Sequence, residues 1–106
     1  MTPKEAIIKK IKEELSMQYQ PTKLVLFGSA TSKGLEQAND IDLCVIKNGF
    51  KDKSEEFVKI RKILGRTIVP LDVLIFNQEE FNRRKDIWGT VQYEIDKNGE
   101  VLYESK

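Results

Sequence analysis

Three aspartates interrupt stretches that are otherwise apolar: Asp40 and Asp42 lead into Leu-Cys-Val-Ile, and Asp72 sits inside Val-Pro-Leu-Asp-Val-Leu-Ile-Phe. On a strand, residues two apart project from one face, so Asp40 and Asp42 point together while Ile41 and Leu43 turn to the opposite layer. Like charges side by side among apolar neighbours raise the free energy of the ionised pair, and a bound divalent cation removes the conflict. Asp72 is expected to face the same polar site, because a lone charge in an apolar strand is costly anywhere else. Carboxylate and phosphate oxygens around an octahedral ion describe Mg²⁺, which keeps waters and is held by a few carboxylates plus its substrate's phosphates. The expected ligand is a nucleoside triphosphate with Mg²⁺, two ions being held by Asp40, Asp42 and Asp72.

Gly28-Ser29, where the run Leu-Val-Leu-Phe stops, supplies the other half of the pattern. Glycine lets the backbone approach a phosphate without a side-chain clash, and Ser29 with the following amides can donate to the same anion. Lys33 adds a point charge nearby, although a solvated loop lysine is the plainer reading of it. In this arrangement Asp40 and Asp42 hold the metal, while Asp72 ligates it or accepts the proton of an attacking hydroxyl. The chemistry is nucleotidyl transfer with release of pyrophosphate. Taken singly, a Gly-Ser turn or an aspartate at a strand start is ordinary; the joint pattern carries the expectation.

The elements that must position these residues follow from periodicity and punctuation. Thr2, Pro3 and Glu5 form a capping-box helix start, followed by Ile8, Ile11 and Leu15 at helical spacing. Gln20-Pro21 ends that pattern, and strands are expected over Lys23 to Phe27 and Ile41 to Ile46. Asp52 with Glu55 opens a helix whose apolar face is Phe57, Ile60, Ile63 and Leu64, with Gly65 as terminator. A third strand is read over Ile68 to Phe76. Asn77 with Glu80 caps a helix ahead of Phe81, a short helix covers Thr90 to Lys97, and Val101 to Tyr103 adds an edge strand. Helices alternating with strands predict an α/β sandwich with one sheet face covered by helices, in a single domain over residues 1–106.

Composition removes other chemistries. The chain has 106 residues and no histidine, so imidazole bases, Ser-His triads and the usual zinc motifs are excluded. The lone Cys44 lies in an apolar run, as a small core residue, and no disulfide within the chain is possible. A net charge of +1 gives no general attraction to a nucleic-acid backbone, so such a partner is not implied. Basic clusters such as Arg83-Arg84-Lys85 alternate with acids and read as exposed helix faces, and Trp88, Tyr93 and Tyr103 read as completing a small core. No stretch approaches the roughly 20 apolar residues of a membrane span, and a cytoplasmic protein is expected. Ser32-Lys33-Gly34 has the wrong order for a Walker-type loop.

The Gly28-Ser29 turn, the Asp40-Ile41-Asp42-Leu43 strand and the later Leu71-Asp72-Val73 strand together resemble the DNA polymerase beta-type nucleotidyltransferase superfamily, and the length resembles its minimal, single-domain branch. The likeness extends over most of the chain, from the first helix to the closing Gly-Glu-Val-Leu-Tyr segment. It implies that family's fold, a mixed sheet with helices packed on it, and metal-dependent transfer of a nucleotide, AMP from ATP above all, to a hydroxyl. Members of this branch are commonly partnered with a helical HEPN protein, as antitoxin to toxin, and modify a toxin tyrosine with AMP. The same role is implied here by the resemblance alone. Members often carry an arginine shortly after the Gly-Ser pair, where this chain reads Ala30-Thr31-Ser32-Lys33-Gly34. That departure leaves a second expectation open, a catalytically weak or inactive module of this fold that neutralises its partner by binding. Transfer to RNA or an antibiotic would require a second domain to hold the acceptor, which only a partner or a homo-oligomer could supply.

Overall fold

A capping box opens the chain: the Thr2 hydroxyl accepts from the Glu5 amide and the Glu5 carboxylate accepts from the Thr2 amide, each at 3.2 Å, starting α1 (Pro3–Lys10). The computed structural model describes residues 1–106. After α1 the helix widens into a π-helical segment, Ile11–Tyr19, whose last bond runs from the Gln20 amide to the Leu15 carbonyl at 3.2 Å. Apolar spacing predicts an ordinary helix here. The residues buried are Ile11, Leu15 and Tyr19, four apart, and the wider i→i+5 winding keeps such a set on one side.

The strands are β1 (Lys23–Phe27), β2 (Ile41–Ile46), β3 (Leu71–Phe76) and β4 (Glu100–Glu104), in the order β3-β2-β1-β4. β1 pairs antiparallel with β2 and with β4, whereas β2 and β3 run parallel, so the sheet is mixed. The parallel pair is joined by α3 (Lys53–Leu64), the crossover that such a pair requires. A four-residue helix, α2 (Ser29–Ser32), and a single 3₁₀ turn, Leu35–Gln37, fill the β1–β2 connection. After β3 come α4 (Gln78–Arg84) and α5 (Val91–Asn98), which begin at the Asn77 and Thr90 caps.

Strand alternation sorts the core into two clusters. Leu24, Leu26, Ile41, Leu43, Val45, Leu71 and Ile75 meet Ile11, Leu15, Ile60 and Leu64 on one face. Val25, Cys44, Ile46 and Phe76 meet Phe81 of α4 and Ile95 of α5 on the other. Helices therefore pack on both faces, where the sequence pattern predicts one covered face. The second layer is small and covers only the far half of β2 and β3, since Cys44, Ile46 and Phe76 are buried while Asp42 is half-buried and Asp72 and Leu74 are exposed.

Three further expectations are corrected. β3 begins at Leu71, not at Ile68, because Ile68 is 89% exposed and Pro70 has no amide to give a ladder. α3 buries Glu56, Ile60 and Leu64, whereas Phe57 lies at the surface. Trp88 is 84% exposed in the α4–α5 connection and completes no core.

The rotation of α3 is explained by Glu56, which is 4% exposed. Its carboxylate accepts the Tyr19 hydroxyl at 2.5 Å and the Lys59 ammonium at 3.1 Å, tying α3 to the π-helical segment. The Tyr19 bond holds the Glu56 carboxyl below the usual carboxylate range, with Lys59 and Lys47 acting in the same sense. A lowered folded-state pKa stabilises the fold above the unfolded value and is lost as pH falls through the folded one. Tyr19→Phe leaves this buried carboxylate short of a donor. It should cost about 1–3 kcal/mol in urea unfolding at neutral pH, and the cost should shrink in acid.

Candidate active site

The register of β2 and β3 pairs Asp42 with Asp72 directly, and the same register places Ile41 beside Leu71 and Leu43 beside Val73 on the opposite, packed face. Neighbouring parallel strands lie about 4.8 Å apart, so the two acids leave the sheet side by side. Asp40 lies ahead of the strand on the exposed approach to it, where the Ile41 amide bonds to the Pro70 carbonyl at 3.0 Å. The expectation that Asp40 shares a regular strand face with Asp42 is thus replaced by an acid in the turn leading to it.

Asp42 registers this company. Burial pushes its carboxyl above the ordinary value, and the charges of Asp72 and Asp40 push it further in the same direction. No cation counters them, and none of the chain's ion pairs involves these acids. A raised carboxylate pKa is a cost of folding at neutral pH, and groups of this kind gather at functional sites.

Gly28 lies against the same carboxylate. Its φ is +74°, a region that side chains rarely adopt, and a Cβ built on it would collide with Asp42 Oδ2. Sequence reasoning assigns this glycine to phosphate approach; the nearer reason is Asp42 itself. The Phe27–Asp42 pairing at the end of β1 brings the turn to the acid. From there α2 begins: Gly28 O accepts from the amides of Thr31 and Ser32, both at 3.1 Å, and from the Thr31 hydroxyl at 2.8 Å. The amides of Ser29 and Ala30, the first of α2, have no acceptor within the chain, as at any helix start.

Thus Gly28, Asp42 and Asp72 are brought together, Ser29 follows immediately, and Asp40 is close enough for its charge to act on Asp42. Lys33 is different: it ends α2 on its exposed side and forms no ion pair with the acids. The site is also not a deep pocket. The largest cavity, about 490 Å³, lies between α3 and the outer edge of β3. Sequence reasoning missed Phe27, which flanks Asp42 in the β1–β2 ladder and packs partly on the second cluster; a strand-terminal aromatic before Gly-Ser carries no periodic signal that would have marked it.

The donor set can be tested against the cation it resembles. No group of three His, Cys, Asp or Glu side chains is gathered into a ready-made metal cage. Two register-paired carboxylates with a third beside them, and no competing cation, suit an ion that takes one or two carboxylates and completes its shell with water and phosphate. They do not suit a metal held by protein ligands alone. The acids fit Mg²⁺ arriving with a nucleotide.

The family model described as "Nucleotidyltransferase domain" matches residues 8–93, which runs from α1 through β3 and into α5 and includes every residue of this site. No curated protein matches the chain. No helix is long and apolar enough to cross a membrane.

Proposed function

Because the chain belongs to the nucleotidyltransferase domain family, we propose that it transfers a nucleoside monophosphate, AMP from ATP in the first instance, to a hydroxyl of a protein partner. The observation that carries the reading is the Asp42–Asp72 pair at matched register, with Gly28 packed against it and no cation to balance it. Asp40, Asp42 and Asp72 would hold Mg²⁺, which when bound offsets the charge of the triphosphate and polarises its α-phosphorus. The free amides of Ser29 and Ala30 offer donors to a phosphate oxygen. Lys33 can add charge to the same arm only by reaching over from the end of α2.

In this reading the acceptor hydroxyl oxygen forms the new bond to the α-phosphorus, the bond from that phosphorus to the bridging oxygen breaks, and pyrophosphate leaves with the bond's electrons. In the same reading Asp72, exposed on the edge strand, ligates the metal that activates the hydroxyl or takes the hydroxyl proton itself. The open site admits an acceptor presented by another macromolecule, such as a tyrosine of a helical HEPN-type toxin, with this chain as antitoxin. A cytoplasmic location follows from that role.

Incubation with ATP labelled at the α-phosphate, Mg²⁺ and the protein encoded by the adjacent gene should give label on that protein, lost when EDTA is added. Transfer that persists in EDTA would remove the role given to Mg²⁺, and an unlabelled acceptor despite bound ATP would remove the catalytic reading. A second reading rests on the exposed, unpaired position of Lys33: a non-catalytic module that neutralises the partner by contact. It is favoured if neutralisation survives Asp42→Asn.

A further inference from the structure

The first turn of α1 holds a lysine where a helix least favours one. Amides at a helix start carry partial positive charge, so a cation there is opposed. Lys4 is the second residue of α1, and it forms no ion pair. Its ammonium goes to the main chain instead, donating to Glu36 O at 3.0 Å and to Ala38 O at 2.6 Å. Beside it the Thr2 hydroxyl donates to the Glu36 carboxylate at 2.8 Å. Three bonds thus join the start of α1 to the end of the β1–β2 connection, across sequence separations of 32 and 34 residues.

That end of the connection is the one that delivers Asp40. Ala38 is 2% exposed, and Asn39 alone separates it from Asp40. On the other side the Ile41 amide is tied to Pro70 O at 3.0 Å. Asp40 itself is exposed and has no ion pair, and neither its amide nor its carbonyl joins a turn or loop bond. Its place is therefore set by the anchors that flank it. The sheet provides one. The other is the Leu35–Ala38 segment, where Leu35 is only partly buried and the internal bonds, Gln37 N to Gly34 O and Ala38 N to Leu35 O, are 3.2 and 3.3 Å long. Lys4 closes that segment from outside, with the two shortest contacts its ammonium makes.

We propose that Lys4 is a positioning residue for Asp40: by fixing the carbonyls of Glu36 and Ala38 it holds the backbone just ahead of the acid, so that Asp40 stays beside the Asp42–Asp72 pair. The inference rests on the reading of that site as the place where Mg²⁺ and a nucleotide bind. Lys4 touches neither of them and acts only through the loop. Without its bonds the approach to β2 is free to move, and an exposed acid that nothing else restrains must be ordered at the moment of binding, which weakens affinity. Partners that orient a metal-holding side chain act in this way.

Calorimetric titration of Mg²⁺ into the protein saturated with α,β-methylene ATP, an analogue that cannot release pyrophosphate, tests the role without turnover. Lys4→Met keeps the length of the stem and removes the donors, and it should weaken Mg²⁺ binding roughly tenfold. Lys4→Arg, whose guanidinium can donate to both carbonyls, should recover most of the loss. In the Asp40→Asn background Lys4→Met should change the affinity by less than about twofold, because the acid it positions no longer carries charge. Amide exchange in the metal-free protein supplies an independent reading: Lys4→Met should speed exchange at Gln37 and Ala38 and leave the centre of β2 as protected as in the parent. A parent that binds no Mg²⁺ in the presence of the analogue overturns the reading of the site, and the positioning role with it. A parent that binds while Lys4→Met binds equally well overturns the positioning role alone. So do losses that add fully in the double variant, or exchange at Gln37 and Ala38 that does not change.

Discussion

Asp42→Asn should abolish nucleotidyl transfer, by about 10³-fold or more, and at the same time make the metal-free protein harder to unfold. The two effects have one cause. Asp42 is half-buried beside Asp72 and within the field of Asp40, and both burial and those charges disfavour its ionised form. In the reaction that crowded charge would be offset by the cation it holds; without the cation it only strains the fold. The amide of asparagine keeps the shape and removes the charge, so affinity for Mg²⁺ and the rate fall together while the repulsion is relieved. The pH dependence has a definite sign. A carboxylate whose folded-state pKa lies above its unfolded value binds more protons when folded, so its contribution makes the protein more stable as pH falls through that range. Thermal melts of the metal-free protein between pH 7 and mildly acidic buffer should show this contribution in the parent and its absence in Asp42→Asn, with added Mg²⁺ raising the melting temperature of the parent alone. An asparagine variant that is both fully active and less stable would show that Asp42 serves the fold and not the chemistry.

Gly28→Ala should damage fold and site together. Two independent costs coincide there. The φ of +74° strains any residue with a side chain, at about 1–3 kcal/mol. The added Cβ would then need the place held by Asp42 Oδ2. Relief requires either the turn or the acid to move, and both belong to the site. A loss of several kcal/mol in urea unfolding is expected, together with loss of transfer. The double variant Gly28→Ala with Asp42→Gly separates the costs, since it restores the space and leaves the backbone strain. Stability recovered in part by the second substitution identifies the collision; no recovery assigns the whole effect to the backbone.

Much of this arrangement is legible in the sequence. Gly28, Asp42 and Asp72 are each chemically conspicuous, and the period of two in Ile41–Ile46 correctly divided acid from core. What could not be read was anything set by long-range pairing. The parallel register of β2 and β3, which puts Asp42 against Asp72, is made by strands separated by a whole helix. The phase of α3 departs from its apolar spacing for a related reason: Phe57 is the more apolar residue, yet Glu56 is buried because Tyr19, far away in sequence, offers it a hydroxyl. Likewise Pro70 removes the ladder amide that a longer β3 would need, although the apolar composition runs back to Ile68. The spacing of Asp40 from Asp42 predicts a place on the strand, but the regular pairing starts one residue later. In each instance local pattern identified the residue and tertiary partners decided its orientation.

The acid pair also joins strands of unequal standing. β2 is held by ladders on both sides, β3 on one. Opening of a sheet begins where the fewest bonds resist it, so the outer strand yields at lower free energy than the central one. Asp42 is therefore the fixed jaw of the pair and Asp72 the compliant one. In the proposed reaction, a gap between carboxylates that can widen or narrow without unseating the core would let a single site follow a triphosphate, a crowded transition state and departing pyrophosphate in turn.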